Sequence, residues 1–225
     1  MKKILYTLIL LSISFSLFAE NLDLTDAANY NRYAEANKKL SKSVVFIGNS
    51  ITEGWALSRP EFFSENNYVG RGISGQTSPQ LLLRFRQDVV NLHPYAVVIN
   101  IGTNDIAENT GKYTSKFTMD CIQSMAELAQ HNGIKVILSS VLPTVGFSWN
   151  KSIVDAPQKV DELNKLIKLF AEANNFAFID YNSPMRDEVG ALKKEYGRDN
   201  VHPNKEGYIV MEKIAKTFID KAIAF

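Results

Sequence analysis

A chain of 225 residues is long enough to bury a sizeable core and short enough to form one domain. Its 45% apolar and 11% aromatic content exclude a disordered chain. A formal net charge of +1, with no long run of either sign, gives no electrostatic footprint for nucleic acid or an anionic membrane.

The first predicted element is a leader. Lys2 and Lys3 precede an apolar run from Ile4 to Phe18, which ends at the small residue Ala19 before Glu20, Asn21 and Asp23. This pattern predicts a signal peptide over 1–19 and a single domain over 20–225. The run falls short of the ~20 apolar residues of a membrane span, so no stable insertion is expected after cleavage. Cys121 is the only cysteine, which excludes an intrachain disulfide, and its amphipathic surroundings predict a small buried hydrophobe. An exported chain without disulfides fits a bacterial envelope, periplasmic or secreted.

Residues 20–42 are polar and predict a helix packed on the outside. Val44 to Ile47 is a continuous apolar strand ending in Gly48. Tyr68-Val69 is a weaker second strand, Tyr95 to Ile101 a strong third, Lys135 to Leu138 a fourth and Phe176 to Asp180 a fifth. Between them lie helical patterns. One is capped by Ser78 with Pro79 first and runs to about Asn91. Another spans Ser115 to His131 and stops at Gly133. A third starts at Asp155 with Val160, Leu163, Ile167 and Phe170 on one face. The last begins near Asn204 with Val210, Met211, Ile214 and Phe218 on one face. Near-continuous apolar strands alternating with helices predict an α/β fold whose parallel sheet is covered on both sides.

In such sheets, ligands bind beyond the carboxyl ends of the strands. Four sequence blocks fall there: Gly48-Asn49-Ser50-Ile51-Thr52, Gly70-Arg71-Gly72, Gly102-Thr103-Asn104-Asp105 and Asp199-Asn200-Val201-His202. Together they contain what serine-based ester cleavage needs. The hydroxyl requires a base within reach, the base an orienting carboxylate, and the developing oxyanion fixed donors. Ser50 is the candidate nucleophile and His202 the base. Asp199, three residues earlier, can reach back to Nδ1. The backbone N–H groups of Ser50 and Gly72 and the side-chain amide of Asn104 are the oxyanion donors. Gly72, without a β-carbon, would let substrate approach its N–H.

These four blocks resemble those of the SGNH hydrolases, also called the GDSL esterase/lipase family, from about Val44 to the last helix. The resemblance implies a flavodoxin-like three-layer α/β/α sandwich with a five-stranded parallel sheet. It also implies a Ser-His-Asp triad, no metal and no cofactor. The expected activity is hydrolysis of small O-acyl esters, with an O-acetyl carbohydrate as the leading substrate. The alternatives are a lysophospholipase or thioesterase acting on lipid acyl groups, and a non-catalytic binding module on the same fold. One block departs from the family pattern: Asn49 stands where an aspartate is usual, which leaves Asp199 as the acid.

Other motifs weigh less. Gly70 to Gly75 fits the dinucleotide pattern GxGxxG, but the following strand is apolar up to Asn100 and supplies no ribose-binding acid. The histidines His93, His131 and His202 lack the spacing of metal ligands. Trp55, Arg71, Phe147 and Trp149, with Asn49, are candidate substrate contacts: Trp55 beside the nucleophile block, Phe147 and Trp149 in the loop after the fourth strand, and Arg71 for an anionic group.

Overall fold

The computed structural model describes residues 23–40 and 43–223; the predicted signal segment lies outside them. Five strands form one parallel sheet: β1 (Val44–Gly48), β2 (Tyr68–Gly72), β3 (Ala96–Asn100), β4 (Lys135–Ser139) and β5 (Ala177–Ile179), in the order β2-β1-β3-β4-β5. The register pairs Gly48 of β1 with Gly72 on one side and Asn100 on the other, so three strand ends lie level.

Period-two alternation divides each strand between two cores. Val45 and Ile47 join Val97, Ile99, Val136 and Leu138 on one face, while Val44 and Phe46 join Ala96, Val98 and Ile137 on the other. The described helices that matter are α1 (Leu24–Ala27), α2 (Ala34–Asn37), α3 (Ser50–Ser58), α4 (Pro60–Glu65), α5 (Ser78–Asp88), α6 (Thr103–Ile106), α7 (Ser115–His131), α8 (Ala156–Ala173), α9 (Asn182–Met185) and α10 (Lys205–Ile223). α5, α7 and α8 cover the first face with Leu81, Phe85, Met125, Leu163 and Ile167. α3, α4 and α10 cover the second with Trp55, Phe62, Phe63, Met211 and Ile219. The result is a three-layer α/β/α sandwich. After β1 the chain winds outward to β2 and then crosses to β3 on the other side of β1, which puts the switch point between β1 and β3.

Several expectations need correction. β2 extends to Gly72, because its glycine and arginine positions are accommodated at the sheet edge. Residues 23–40 form two short helices rather than one, joined through Asn29 at a φ of 47°. The cap of α5 is Thr77, whose N–H donates to Gln80 Oε1 at 3.0 Å; Ser78 is the first helical residue. On α10 the fully buried stripe is Tyr208, Met211, Ala215 and Ile219, while Phe218 sits at the surface and Val210 and Ile214 flank the stripe.

Candidate active site

The turn from β1 into α3 is tight. Asn49 caps α3 by accepting the Ile51 N–H on Oδ1 at 3.0 Å, and Ser50 opens the helix with the positive end of its dipole behind it. A β-carbon on Gly48 would lie 2.3 Å from Thr52 Oγ1, and one on Gly72 would lie 2.1 Å from Glu53 N and 2.6 Å from Asn49 O. Gly72 is therefore a glycine because β2 packs against this turn, which corrects the expectation that the missing β-carbon serves substrate approach. The edge position of β2 matters separately. Ile73 N–H donates to Gly48 O at 3.1 Å, so alternation turns the Gly72 N–H away from β1 and Ser50 toward the outer edge of the sheet, the side on which Tyr33 meets Gly72 O; this corrects the expectation that it joins Ser50 as an oxyanion donor.

The loop before α10 brings His202 to this turn. His202 Nε2 lies 2.9 Å from Ser50 Oγ, and His202 Nδ1 lies 2.9 Å from Asp199 Oδ2 and 3.1 Å from Oδ1. With the Nδ1 proton directed at the carboxylate, Nε2 is left as acceptor for the serine hydroxyl. Asp199 Oδ1 also accepts the Val201 and His202 backbone N–H groups at 2.8 and 2.7 Å. Partial desolvation pushes this carboxyl up, but the backbone and ring hydrogen bonds outweigh it and hold Asp199 below the usual carboxylate value. The loop thus keeps a charged acceptor beside the imidazole, which orients the ring.

The third block arrives from β3. Asn104, in α6, is buried and donates one Nδ2 proton to Gln76 O at 3.0 Å. That bond fixes the amide plane and leaves its second proton for a ligand. Behind it sits a residue that periodicity alone does not single out. Arg84 is 0% exposed and donates to Gln76 Oε1 at 2.7 Å, Gly48 O at 3.0 Å, Arg71 O at 2.9 Å and Asp88 Oδ2 at 2.9 Å. Holding Arg71 O fixes the plane of the Arg71–Gly72 peptide, and hence the direction of the Gly72 N–H. Burial lowers the Arg84 pKa, and the Asp88 carboxylate opposes that shift. The sequence signal for this clamp was a charged pair at i and i+4 on the buried stripe of α5, beside Leu81 and Phe85.

The N-terminal segment contributes from outside. Tyr33 donates its hydroxyl to Gly72 O, Gln76 Nε2 donates to Ala28 O at 2.6 Å, and Arg32 pairs with Glu53 at 2.8 Å. These contacts tie residues 23–40 to the end of β2, the loop after it and α3.

Not every candidate contact faces the site. Trp55 is 2% exposed and packs among Phe46, Phe62, Tyr181 and Tyr208, with Nε1 directed at Glu212. Phe147 is buried in the core against Trp149. Arg71 is buried, donating to Asn37 Oδ1 and Gly70 O at 2.8 Å with its guanidinium over the Tyr33 ring, so it is unavailable to an anionic substrate. Asn49 is fully buried beneath Ser50, where it shapes the turn. Trp149 alone of these is open to solvent, and its ring centroid is 6.5 Å from that of His202.

A parallel sheet of this order, with serine, histidine and asparagine gathered at the switch point, is the architecture of an α/β acylhydrolase. The chain belongs to the GDSL-like Lipase/Acylhydrolase family, whose sequence profile matches residues 46–210. It is similar to a GDSL-like lipase from Bacteroides thetaiotaomicron of known crystal structure, at 55% identity and a TM-score of 0.85 over 87% of this chain and 98% of that one. It is also similar to an acetylxylan esterase from Xylanibacter ruminicola, at 25% identity over 85% of this chain and 46% of the relative. An N-acylneuraminate cytidylyltransferase from Escherichia coli matches at 26% identity over 81% of this chain and 42% of the relative. The chain spans less than half the length of these two curated relatives.

Proposed function

We propose that this protein hydrolyses small O-acyl esters with Ser50 as nucleophile, and that the natural ester is an acetyl group on a carbohydrate. The observation that carries the reading is the unbroken hydrogen-bonded chain from Ser50 Oγ through the His202 ring to Asp199, with 2.9 Å at each link. In the forward step Ser50 Oγ attacks the acyl carbon while His202 Nε2 takes its proton. The oxyanion is met by the N–H group of Ser50 and by Asn104 Nδ2, each such donor being worth roughly 2.7–4 kcal/mol in a water-poor site. Collapse of the intermediate expels the alcohol, which receives the proton from His202. Water, deprotonated by the same imidazole, then releases the acid and restores Ser50.

The carbohydrate half of the proposal draws on the curated relatives, both of which are named for a carbohydrate. The leader pattern of residues 1–19 supports an exported protein that meets such polymers outside the cytoplasm. Turnover of 4-nitrophenyl acetate tests the reaction: the intact protein is expected to release nitrophenolate catalytically and Ser50→Ala to release it at the uncatalysed rate. Equal turnover by both would remove Ser50 from the mechanism.

A further inference from the structure

We infer that the cleft beside Trp149 holds the neutral sugar ring that carries the acetyl group. This rests on the ester-hydrolase reading above. The argument begins with the proton that the leaving group must collect. The alcohol oxygen has to come within hydrogen-bond reach of His202 Nε2, so the alcohol lies against whatever flanks the imidazole. Trp149 flanks it, with the two rings tilted by 39°.

Trp149 is 48% exposed, yet it is not free to swing. Its Nε1–H donates to Asn109 Oδ1 at 2.8 Å, and Phe147 backs the ring at 5.2 Å between centroids. Asn109 in turn donates Nδ2 to Gly75 O at 3.1 Å. One asparagine therefore joins the indole to the loop that follows Gly72. A large aromatic face held rigid in solvent is organised for stacking before any ligand arrives, which removes part of the ordering cost of binding.

From this face opens a cleft of about 530 Å³, the size of a small-molecule site, bounded by Trp149, Ser74, Gln80, Asn109, Thr110 and Asn29. Its far wall is the segment Ile73 to Gln76, and Gln76 O is the acceptor that holds Asn104. Ser50, Asn104 and His202 do not line the cleft themselves; it adjoins them through Trp149, whose ring neighbours His202, and through Gln76, whose carbonyl holds Asn104. Hydroxyls and amides dominate the lining, and Gln76, Gln80, Asn109 and Asn150 are each fixed by hydrogen bonds within the protein, which gives the cleft a polar, rigid wall. An aliphatic chain placed against this polar wall would cover its remaining acceptor sites without offering a donor, whereas a sugar hydroxyl can offer one. Among the described residues, none that line the cleft is Lys or Arg, and the charged one is Glu108, paired with Lys112 at 2.7 Å. That charge pattern favours a neutral sugar over an acidic one.

The test compares kcat/KM for an acetylated xylo-oligosaccharide with that for ethyl acetate, which has no ring to stack. Any disturbance of His202 affects both esters, so their ratio isolates the cleft. In Trp149→Ala the ratio is expected to fall about tenfold, chiefly through KM for the sugar ester, and in Trp149→Phe to stay within about threefold of the intact protein. An unchanged ratio in Trp149→Ala overturns the inference. So does an intact protein that prefers an acetylated sialic acid or a lysophospholipid to the neutral sugar ester. Failure of the intact protein on 4-nitrophenyl acetate would strike the hydrolase reading instead.

Discussion

Asp199 has about half of its side chain exposed, and three donors still converge on its carboxylate: Val201 N, His202 N and the His202 ring. Because these bonds exist only in the folded chain, the folded carboxyl ionises below its unfolded value of about 3.8. Its contribution to stability is therefore complete above the unfolded value and fades as pH falls through the depressed one. The difference in unfolding free energy between the intact protein and Asp199→Asn, read by urea titration, should shrink as the solution is made more acid than about pH 5. A difference that grew below about pH 5 would contradict the assignment. At this scale the sequence was informative, because the three-residue spacing from Asp199 to His202 is short enough for one loop to close the contact. Trp55 and Arg71 were harder to place. Both residue types commonly keep a polar tip in water, and only the packed structure shows Glu212 receiving the indole and Asn37 the guanidinium.

Among the elements, α5 does more than cover the sheet. Through Arg84 it grips the ends of β1 and β2 at Gly48 O and Arg71 O, and it reaches the Asn104 anchor through Gln76. Apolar periodicity located this helix and its covered face. The clamp stayed hidden because arginine is ordinarily a surface residue, and the two backbone carbonyls it serves, Gly48 O and Arg71 O, lie on different strands. Arg84→Met would leave Asp88 buried without its partner. It is expected to lower stability by about 3–5 kcal/mol in urea unfolding, and to lower kcat for ethyl acetate more than it raises KM. Wild-type stability and kcat in that variant would show that the clamp is dispensable. The segment 23–40 was equally hard to read, since its polar sequence carries no apolar stripe; its role lies in contacts from Tyr33, Ala28 and Arg32 to the loop after β2 and to α3.

For the molecule as a whole, alternation of buried strands and amphipathic helices made the layer order legible, and the strand ends placed the four blocks on one rim. The division of aromatic residues was not legible. Phe147 and Trp149 lie two positions apart in one loop, yet one enters the core and the other faces solvent beside His202. Loop residues follow no period that assigns them a side, so their fate depends on the space left between α6 and the helices around it. The sheet order makes the position of Ser50 intelligible: it sits where the chain's winding reverses, at the start of a helix whose turn packs against Gly72. The central claim is that this serine becomes covalently acylated. The most direct measurement is rapid acid quenching of the protein during turnover of 4-nitrophenyl acetate, followed by peptide mass mapping. The account predicts an acetyl group on Ser50, absent from Ser50→Ala; an acetyl group on another residue that accumulates and clears at the turnover rate would contradict it.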